Sequence, residues 1–428
     1  MTATQSSAQS SAQSGPDRRW GHLETVPSGP RVAVAAAVAR AIFTAAMSRL
    51  DVTVELHTPH GVRTIGRGGP VMTVLRPDEL FARLGRDQSV GLGEAYLTGA
   101  WDAEDLAGLL AVPAAHLRDL VPGPLRLLRG TVLARIGRED RGDPADTRRN
   151  VARHYDLSNE LFGLFLDPTM TYSCGWFRTD EQGGPIAGDD LEAAQLRKID
   201  ALLDLAEVGP GTRLLEIGTG WGELALRAAA RGATVHSVTL SEEQLGLARL
   251  RVAEAGLADR VDIELCDYRD VAGEYDAVVS VEMVEAVGWR HWATYLRTID
   301  RVLAPGGRVA IQAITMPHDR MLETRDVSTW ITTYIFPGGF LPSLRALEET
   351  ARDHTTLRVR GTTALGPHYA ETLRQWDERF RARAAEVEAL GFDATFRRMW
   401  HFYLEYSRAG FRSGYLDDHQ ILLTRDRA

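Results

Sequence analysis

The run Leu214-Leu215-Glu216-Ile217-Gly218-Thr219-Gly220-Trp221-Gly222-Glu223-Leu224 reads as a buried strand that breaks into a glycine turn and then a helix. Glycines there let the backbone approach a ligand where a Cβ would clash, and Glu216, at the strand's end, is placed to reach polar groups of a bound cofactor. The spacing is G-x-G-x-G rather than the G-x-G-x-x-G of dinucleotide sites, so S-adenosylmethionine suits the turn better than a pyrophosphate. At the next strand end, Thr239-Leu240-Ser241 stands where an acid usually binds ribose hydroxyls. Thr239 and Gln244 can supply those hydrogen bonds, while Ser241 and Gln244 also fit a helix capping box. Cys266-Asp267-Tyr268-Arg269-Asp270 then puts an acid and an aromatic ring where an adenine would lie.

Two further runs carry polar chemistry. In Val281-Glu282-Met283-Val284-Glu285-Ala286-Val287-Gly288 a carboxylate is either close to the reacting centre or part of an ordinary surface turn; the pattern favours neither. Upstream lie His154-Tyr155-Asp156-Leu157-Ser158-Asn159 and Thr171-Tyr172-Ser173-Cys174. Cys174 has no His/Asn partner pattern, so a structural or backbone role is favoured over a nucleophile.

These residues need a scaffold, and the pattern from residue 150 onward supplies one. Strands at 213–217, 233–239, 261–266, 275–281 and 308–314 alternate with amphipathic helical stretches. Such alternation predicts an α/β fold, a doubly wound parallel sheet with its ligand at the carboxyl ends of the strands. Residues 316–349 form a long apolar insertion, with Trp330, Tyr334, Ile335, Phe336, Phe340 and Leu341, suited to a lid over a greasy substrate. Helices at 369–389 and 392–411 and a strand near 420–424 complete this domain, 150–428. Ahead of it we expect a disordered tail over 1–30, a small α+β domain over 31–138 and a charged linker over 139–149. The N-terminal domain has a helix at 33–50, strands at 52–56 and 71–75, and helical patterning over 77–120. The basic, apolar stretch 121–138 reads either as a surface for anionic lipid or, preferably, as a connecting helix packed on a neighbour.

Composition narrows the classes. With 428 residues, 44% of them hydrophobic, the chain can bury sizeable cores, and a net charge of -9 argues against a general nucleic-acid binder. Two cysteines are too few for a disulfide framework or a cysteine zinc site, and we expect no metal. With no secretory signal the expected compartment is the cytoplasm. The alanine-rich stretch 32–47 is short for a membrane span and carries Arg40, so no transmembrane helix is expected. Lys198 is the sole lysine among 49 basic residues; arginine suits bidentate contacts, although codon usage is the simpler cause.

Together, His154 to Asn159, Tyr172-Ser173-Cys174, the Gly218–Gly222 turn, Asp267 to Asp270, Tyr334-Ile335-Phe336-Pro337-Gly338 and His368-Tyr369 resemble the cyclopropane fatty-acid synthase family. A weaker likeness extends to Gly93-Glu94-Ala95-Tyr96-Leu97-Thr98-Gly99-Ala100-Trp101. The resemblance implies a Rossmann-like class I methyltransferase that uses S-adenosylmethionine to methylate the double bond of an unsaturated acyl chain in membrane phospholipid. It places the cofactor on Tyr172, Ser173, Gly218, Gly220, Thr239, Gln244, Tyr268 and Arg269, with Glu216, Trp221 and Leu240 beside them. It also implies a bicarbonate ion acting as base, held by Glu285, Tyr369, Gln312 and the backbones of Cys174 and Ile314. Two positions depart from the family: Glu285 is followed by Ala286 rather than histidine, and Gln312 stands for a histidine. Glutamine can donate a hydrogen bond but cannot carry charge. Both departures resemble the branch that makes the 10-methylene precursor of tuberculostearic acid.

An alkene is a weak nucleophile, so much of the catalysis must come from holding it in line with the sulfonium methyl. Tyr155, Tyr172, Trp176 and Tyr334 are candidates to stabilise the resulting cation, and Tyr155, Trp176, Tyr334 and Phe336 to line the substrate pocket. Hydride shift and proton loss give a methylene; direct ring closure gives a cyclopropane. Saturating a methylene requires a hydride donor, and no flavin or nicotinamide fingerprint is present, so a separate flavin- or NADPH-dependent reductase is expected as partner. A phospholipid substrate places the enzyme peripherally at the inner membrane face; oligomeric state is left open. The rival readings are a cyclopropane synthase, a small-molecule O- or N-methyltransferase, and a catalytically silent lipid-binding protein.

Overall fold

The computed structural model describes residues 20–117, 157–186 and 188–426. The expectations for 121–138, for the linker 139–149 and for His154, Tyr155 and Asp156 lie outside the described residues.

Near the N-terminus, β1 (Thr53–Thr58), β2 (Gly61–Gly66), β3 (Val71–Val74) and β4 (Trp101–Asp102) form a sheet in the order β2-β1-β3-β4. Val54 and Leu56 alternate inward on β1, as a half-buried strand requires. The sequence reading lacks β2, which buries only Ile65 and so shows no alternation. The helical patterning over 77–120 resolves into Pro77–Leu97, kinked at Asp87 and Gln88, then β4, then Leu106–Ala115. Within the expected tail, Gly21–Glu24 is helical, Leu23 is buried, and its carbonyl accepts a 2.6 Å hydrogen bond from Arg83, while residues 1–19 lie outside the described residues.

The larger sheet comprises β5 (Arg213–Ile217), β6 (Thr234–Thr239), β7 (Val261–Leu265), β8 (Tyr275–Val281), β9 (Leu303–Thr315), β10 (Leu357–Ala364) and β11 (Asp417–Arg425). Their order is β10-β11-β9-β8-β5-β6-β7. β5 to β9 pair in parallel, whereas β11 is antiparallel to both β9 and β10. Period-two alternation explains the double winding. Ala277 and Val279 of β8 pack with Ile199 and Ala225 on one face, while Val278 packs with Leu296 and Ile299 on the other. β10 escapes sequence reading because it is an edge strand with only Leu357 fully buried.

Among the described residues the N-terminal unit closes no separate core. Phe81, Tyr96 and Trp101 share one buried cluster with Trp376, Trp400 and Phe402, and the Tyr96 ring lies 5.0 Å from that of Phe402. The apolar insertion is anchored to the same unit. Trp330 is fully buried 4.6 Å from Phe402, so close to Gly93 that a Cβ there would sit 2.2 Å from its indole.

Candidate active site

Parallel pairing brings the ends of β5, β6, β7, β8 and β9 to one edge of the sheet, where the sequence-predicted residues gather. After β5, Gly218 (φ +98°) and Gly220 (φ +52°) take left-handed backbone conformations that glycine adopts at little cost. A Cβ on Gly220 would meet nothing within 4 Å, so the backbone there faces open space. Beneath the turn, Glu216 is buried, with Ser237 Oγ 2.5 Å from its carboxylate and 2.7 Å from Thr219 Oγ1. Burial pushes the Glu216 carboxyl up to about 8, against the opposing pull of Ser237 and Lys198. In this structure it braces the turn.

At the β6 terminus Ser241 is an N-cap without a closed capping box, since its own N–H goes to Thr239 Oγ1 at 3.1 Å rather than to the Gln244 side chain. Thr239 Oγ1 donates to Gln244 Oε1 at 2.9 Å, and Ser241 Oγ caps the helix Glu242–Glu254 by accepting from Gln244 N, with Leu240 half-buried between them. After β7, Tyr268 packs edge-on against Tyr295, and Arg269 forks onto Asp267 at 2.8 and 2.5 Å. Trp221 donates to Asn159 Oδ1 at 2.7 Å, tying the glycine turn to the upstream motif. Tyr172 OH lies 2.8 Å from Tyr403 OH, and Ser173 Oγ accepts from Lys198 Nζ at 2.6 Å. Open space above glycine backbone, flanked by polar strand ends and an aromatic ring, fits an S-adenosyl nucleoside.

At the ends of β8 and β9 the structure departs from expectation. The family resemblance implies that Glu285 shares one anion with Tyr369, Gln312 and the backbones of Cys174 and Ile314. Instead three of those groups converge on Glu282. Its Oε1 accepts from Cys174 N at 2.9 Å and Gln312 Nε2 at 3.0 Å, and its Oε2 from Tyr369 OH at 2.6 Å. Glu285 Oε1 takes the fourth donor, Ile314 N, at 2.5 Å, and its Oε2 is buried without a partner among the described residues. Bicarbonate would need these donors, and they are spent on the chain's own carboxylates. The residues present do not fit that ion.

The cluster is dense in charge. Lys198 and Asp418 are fully buried beside it, and Gln420 Nε2 reaches both Gln312 Oε1 and the Lys198 carbonyl. Burial raises Glu282 while its hydrogen bonds and Lys198 oppose the rise; burial, then the Glu282 charge, pushes Glu285 up to about 8. Burial also lowers Lys198 and drives the Cys174 thiol well above its ordinary value, so Cys174 offers its N–H rather than a thiolate.

Residues 143–421 match the family described as mycolic acid cyclopropane synthetase. The chain belongs to this family. It is 51% identical over 410 residues to the tuberculostearic acid methyltransferase UfaA1 of Mycobacterium tuberculosis, covering 95% of this chain and 96% of that one. It is 32% identical over 381 residues to the cyclopropane-fatty-acyl-phospholipid synthase of Escherichia coli, covering 87% and 92%. Among solved structures, mycolic acid cyclopropane synthase CmaA1 complexed with SAH and CTAB superposes with a TM-score of 0.58 at 31% identity, covering 64% of this chain and 97% of that one. Coclaurine N-methyltransferase, at 19% identity and TM-score 0.60, covers 78% of this chain and 99% of its own and shares the fold. The large sheet is that of class I S-adenosylmethionine-dependent methyltransferases.

The pocket candidates fare unevenly within this family fold. Tyr334 is tied elsewhere, its hydroxyl donating to Glu94 at 3.0 Å and its ring stacking on Trp330. Trp176 is half-buried near His368, and Phe336 packs edge-on to Tyr403. Glu282, Lys198 and Asp418 are the residues that sequence reasoning did not place. For Lys198 the one signal is a single lysine in an arginine-rich chain, which codon usage explains as simply.

Proposed function

We propose that this enzyme methylates the Δ9 double bond of oleoyl phospholipid chains and releases 10-methylene-stearoyl chains, precursors of 10-methylstearic (tuberculostearic) acid. It is an S-adenosylmethionine-dependent methyltransferase acting on fatty acids. The observation that carries the finer reading is the buried carboxylate cluster of Glu282 and Glu285 at the same sheet edge as the Gly218–Gly222 turn. Alkene methylation must end in loss of a proton, and a base beside the cofactor edge is what that requires. The near full-length likeness to a tuberculostearic acid methyltransferase supports the methylene product. When bound, S-adenosylmethionine supplies an electrophilic methyl group. Gly218, Gly220, Thr239, Gln244 and Tyr268 would hold it.

A cyclopropane product on the same substrate is the second reading, supported by the likeness to the bacterial phospholipid synthase. Action at the inner membrane face and a separate hydride-donating reductase belong to the same proposal. Mass spectrometry of fatty acids after incubation with S-adenosylmethionine and dioleoyl phospholipid vesicles tests it. A product one CH2 heavier with a reducible exocyclic double bond is expected; the same mass without an alkene means cyclopropane.

A further inference from the structure

We propose that Glu282 is the proton acceptor of this reaction, a base built into the chain where a recruited anion would otherwise be held. The inference rests on the methyl-transfer reading above, but its geometry is independent of the product. Three donors from separate parts of the chain, Cys174 N–H, the Gln312 amide and the Tyr369 hydroxyl, meet on this one carboxylate. Such a set is what an anion site offers, and here the anion is covalently attached.

The backbone is bent to deliver it. Glu282 lies at φ +51°, the left-handed region, where a residue with a Cβ is uncommon and strain concentrates at functional positions. Its own N–H is fixed by the Gln312 carbonyl at 2.8 Å. The ionisable groups facing it come from every neighbouring element: Lys198 from the helix Leu191–Leu205, Tyr369 from the helix Gly366–Ala382, Asp418 from β11, Glu285 from its own turn and the Cys174 thiol. Lys198 is the one cation in this set and favours the ionised Glu282, whereas Glu285 faces Glu282 with like charge and is held by backbone donors, Ile314 N–H and its own N–H.

The step balances without a further reactant. Methyl transfer converts the alkene π pair into the new carbon–methyl bond, sulfur keeps the pair of its broken bond, and the acyl chain becomes a cation. A 1,2-hydride shift moves the deficit to the methylated carbon. The pair of one methyl C–H bond then becomes the exocyclic double bond, and its proton passes to the Glu282 carboxylate, which becomes a neutral acid.

The test begins with the wild-type protein. Titration with 13C-bicarbonate, followed by NMR and calorimetry, is expected to show no binding, and turnover in carbonate-stripped buffer is expected to match that in bicarbonate. Saturable binding together with loss of rate on stripping would overturn the proposal. Glu282→Ala is expected to lower kcat about 10²–10⁴-fold, to keep its affinity for S-adenosylmethionine, and to gain binding of formate or bicarbonate with at least partial rescue of rate. Full activity of that variant without added anion would also overturn it. Should Glu282→Ala fail to fold, Glu282→Gln and the wild-type titration decide the matter. A cyclopropane product with the same anion behaviour would remove the methylene reading and leave Glu282 as the base. Absence of methyl incorporation into any acyl chain would remove the substrate reading, and the binding result would still stand.

Discussion

Tyr369 donates its hydroxyl to Glu282 Oε2 at 2.6 Å while its ring stacks on Phe411 with centroids 4.5 Å apart. The aromatic stack holds the ring, so the hydrogen bond can be removed without moving the helix. Tyr369→Phe deletes one charge-assisted bond, worth about 1.5–3 kcal/mol in such settings. The loss disfavours the ionised carboxylate and raises its pKa. The ascending limb of the pH profile of kcat is therefore expected to move to higher pH, with activity approaching wild type at the alkaline end. A uniform loss of rate with an unmoved limb would contradict this role.

Glu216 carries a pH signature of its own in stability. Its folded pKa of about 8 stands above the ordinary carboxylate value of 4.5 because of burial. Below about pH 4.5 both states are protonated and the neutral acid's contribution is fully present. Between 4.5 and 8 the unfolded chain has released the proton and the folded one has not, so stability falls as pH rises. Each such group contributes a slope of about 1.4 kcal/mol per pH unit. Glu216→Gln, neutral at every pH, is expected to flatten the dependence of the urea midpoint between pH 5 and 8. An unchanged slope would mean that Glu216 is ionised in the folded protein.

What the sequence disclosed follows from which interactions are local. β5 and β6 are short strands, the first with an apolar centre and the second alternating Val235 and Val238 with polar residues, that end in glycine or capping residues, and the turn at Gly218 to Gly222 signals itself by spacing alone. β2 and β10 have few buried side chains and therefore no period to read. Glu282 and Glu285 are three residues apart in one turn, and which of them points to Tyr369 depends on a left-handed backbone at Glu282 and on donors that arrive from residues 174, 312 and 369. No local pattern encodes that convergence. The resemblance names these donors around a bicarbonate ion beside Glu285, whereas in the structure Cys174 N, Gln312 and Tyr369 meet on Glu282 and Ile314 N meets Glu285.

Gly93 tests how the apolar insertion is seated. A Cβ there would lie 2.2 Å from the buried Trp330 indole, which also packs on Phe402, while Tyr334 one turn later bonds Glu94. Gly93→Ala must displace the indole, and overpacking of this kind typically costs about 1–3 kcal/mol. The expected outcome is a lower Tm together with faster proteolysis within residues 316–349. A Tm equal to wild type would show that the insertion accommodates the methyl group without holding to the N-terminal helix.

Lys198 is the buried cation that faces Glu282 and Asp418, and its ammonium donates to Ser173 Oγ. Lys198→Met keeps an unbranched side chain, one atom shorter, and removes the charge. Breaking a buried charge pair by deleting one partner leaves the other uncompensated, at a typical cost of about 3–5 kcal/mol. The carboxylates can relieve this only by binding protons, so the loss measured by urea unfolding is expected to be smaller at pH 6 than at pH 9. Adding Glu282→Gln removes one of the stranded charges, and the double variant is expected to be more stable than Lys198→Met alone at pH 9. A double-mutant cycle with zero coupling would mean that Lys198 serves Ser173 and packing rather than the charge on Glu282.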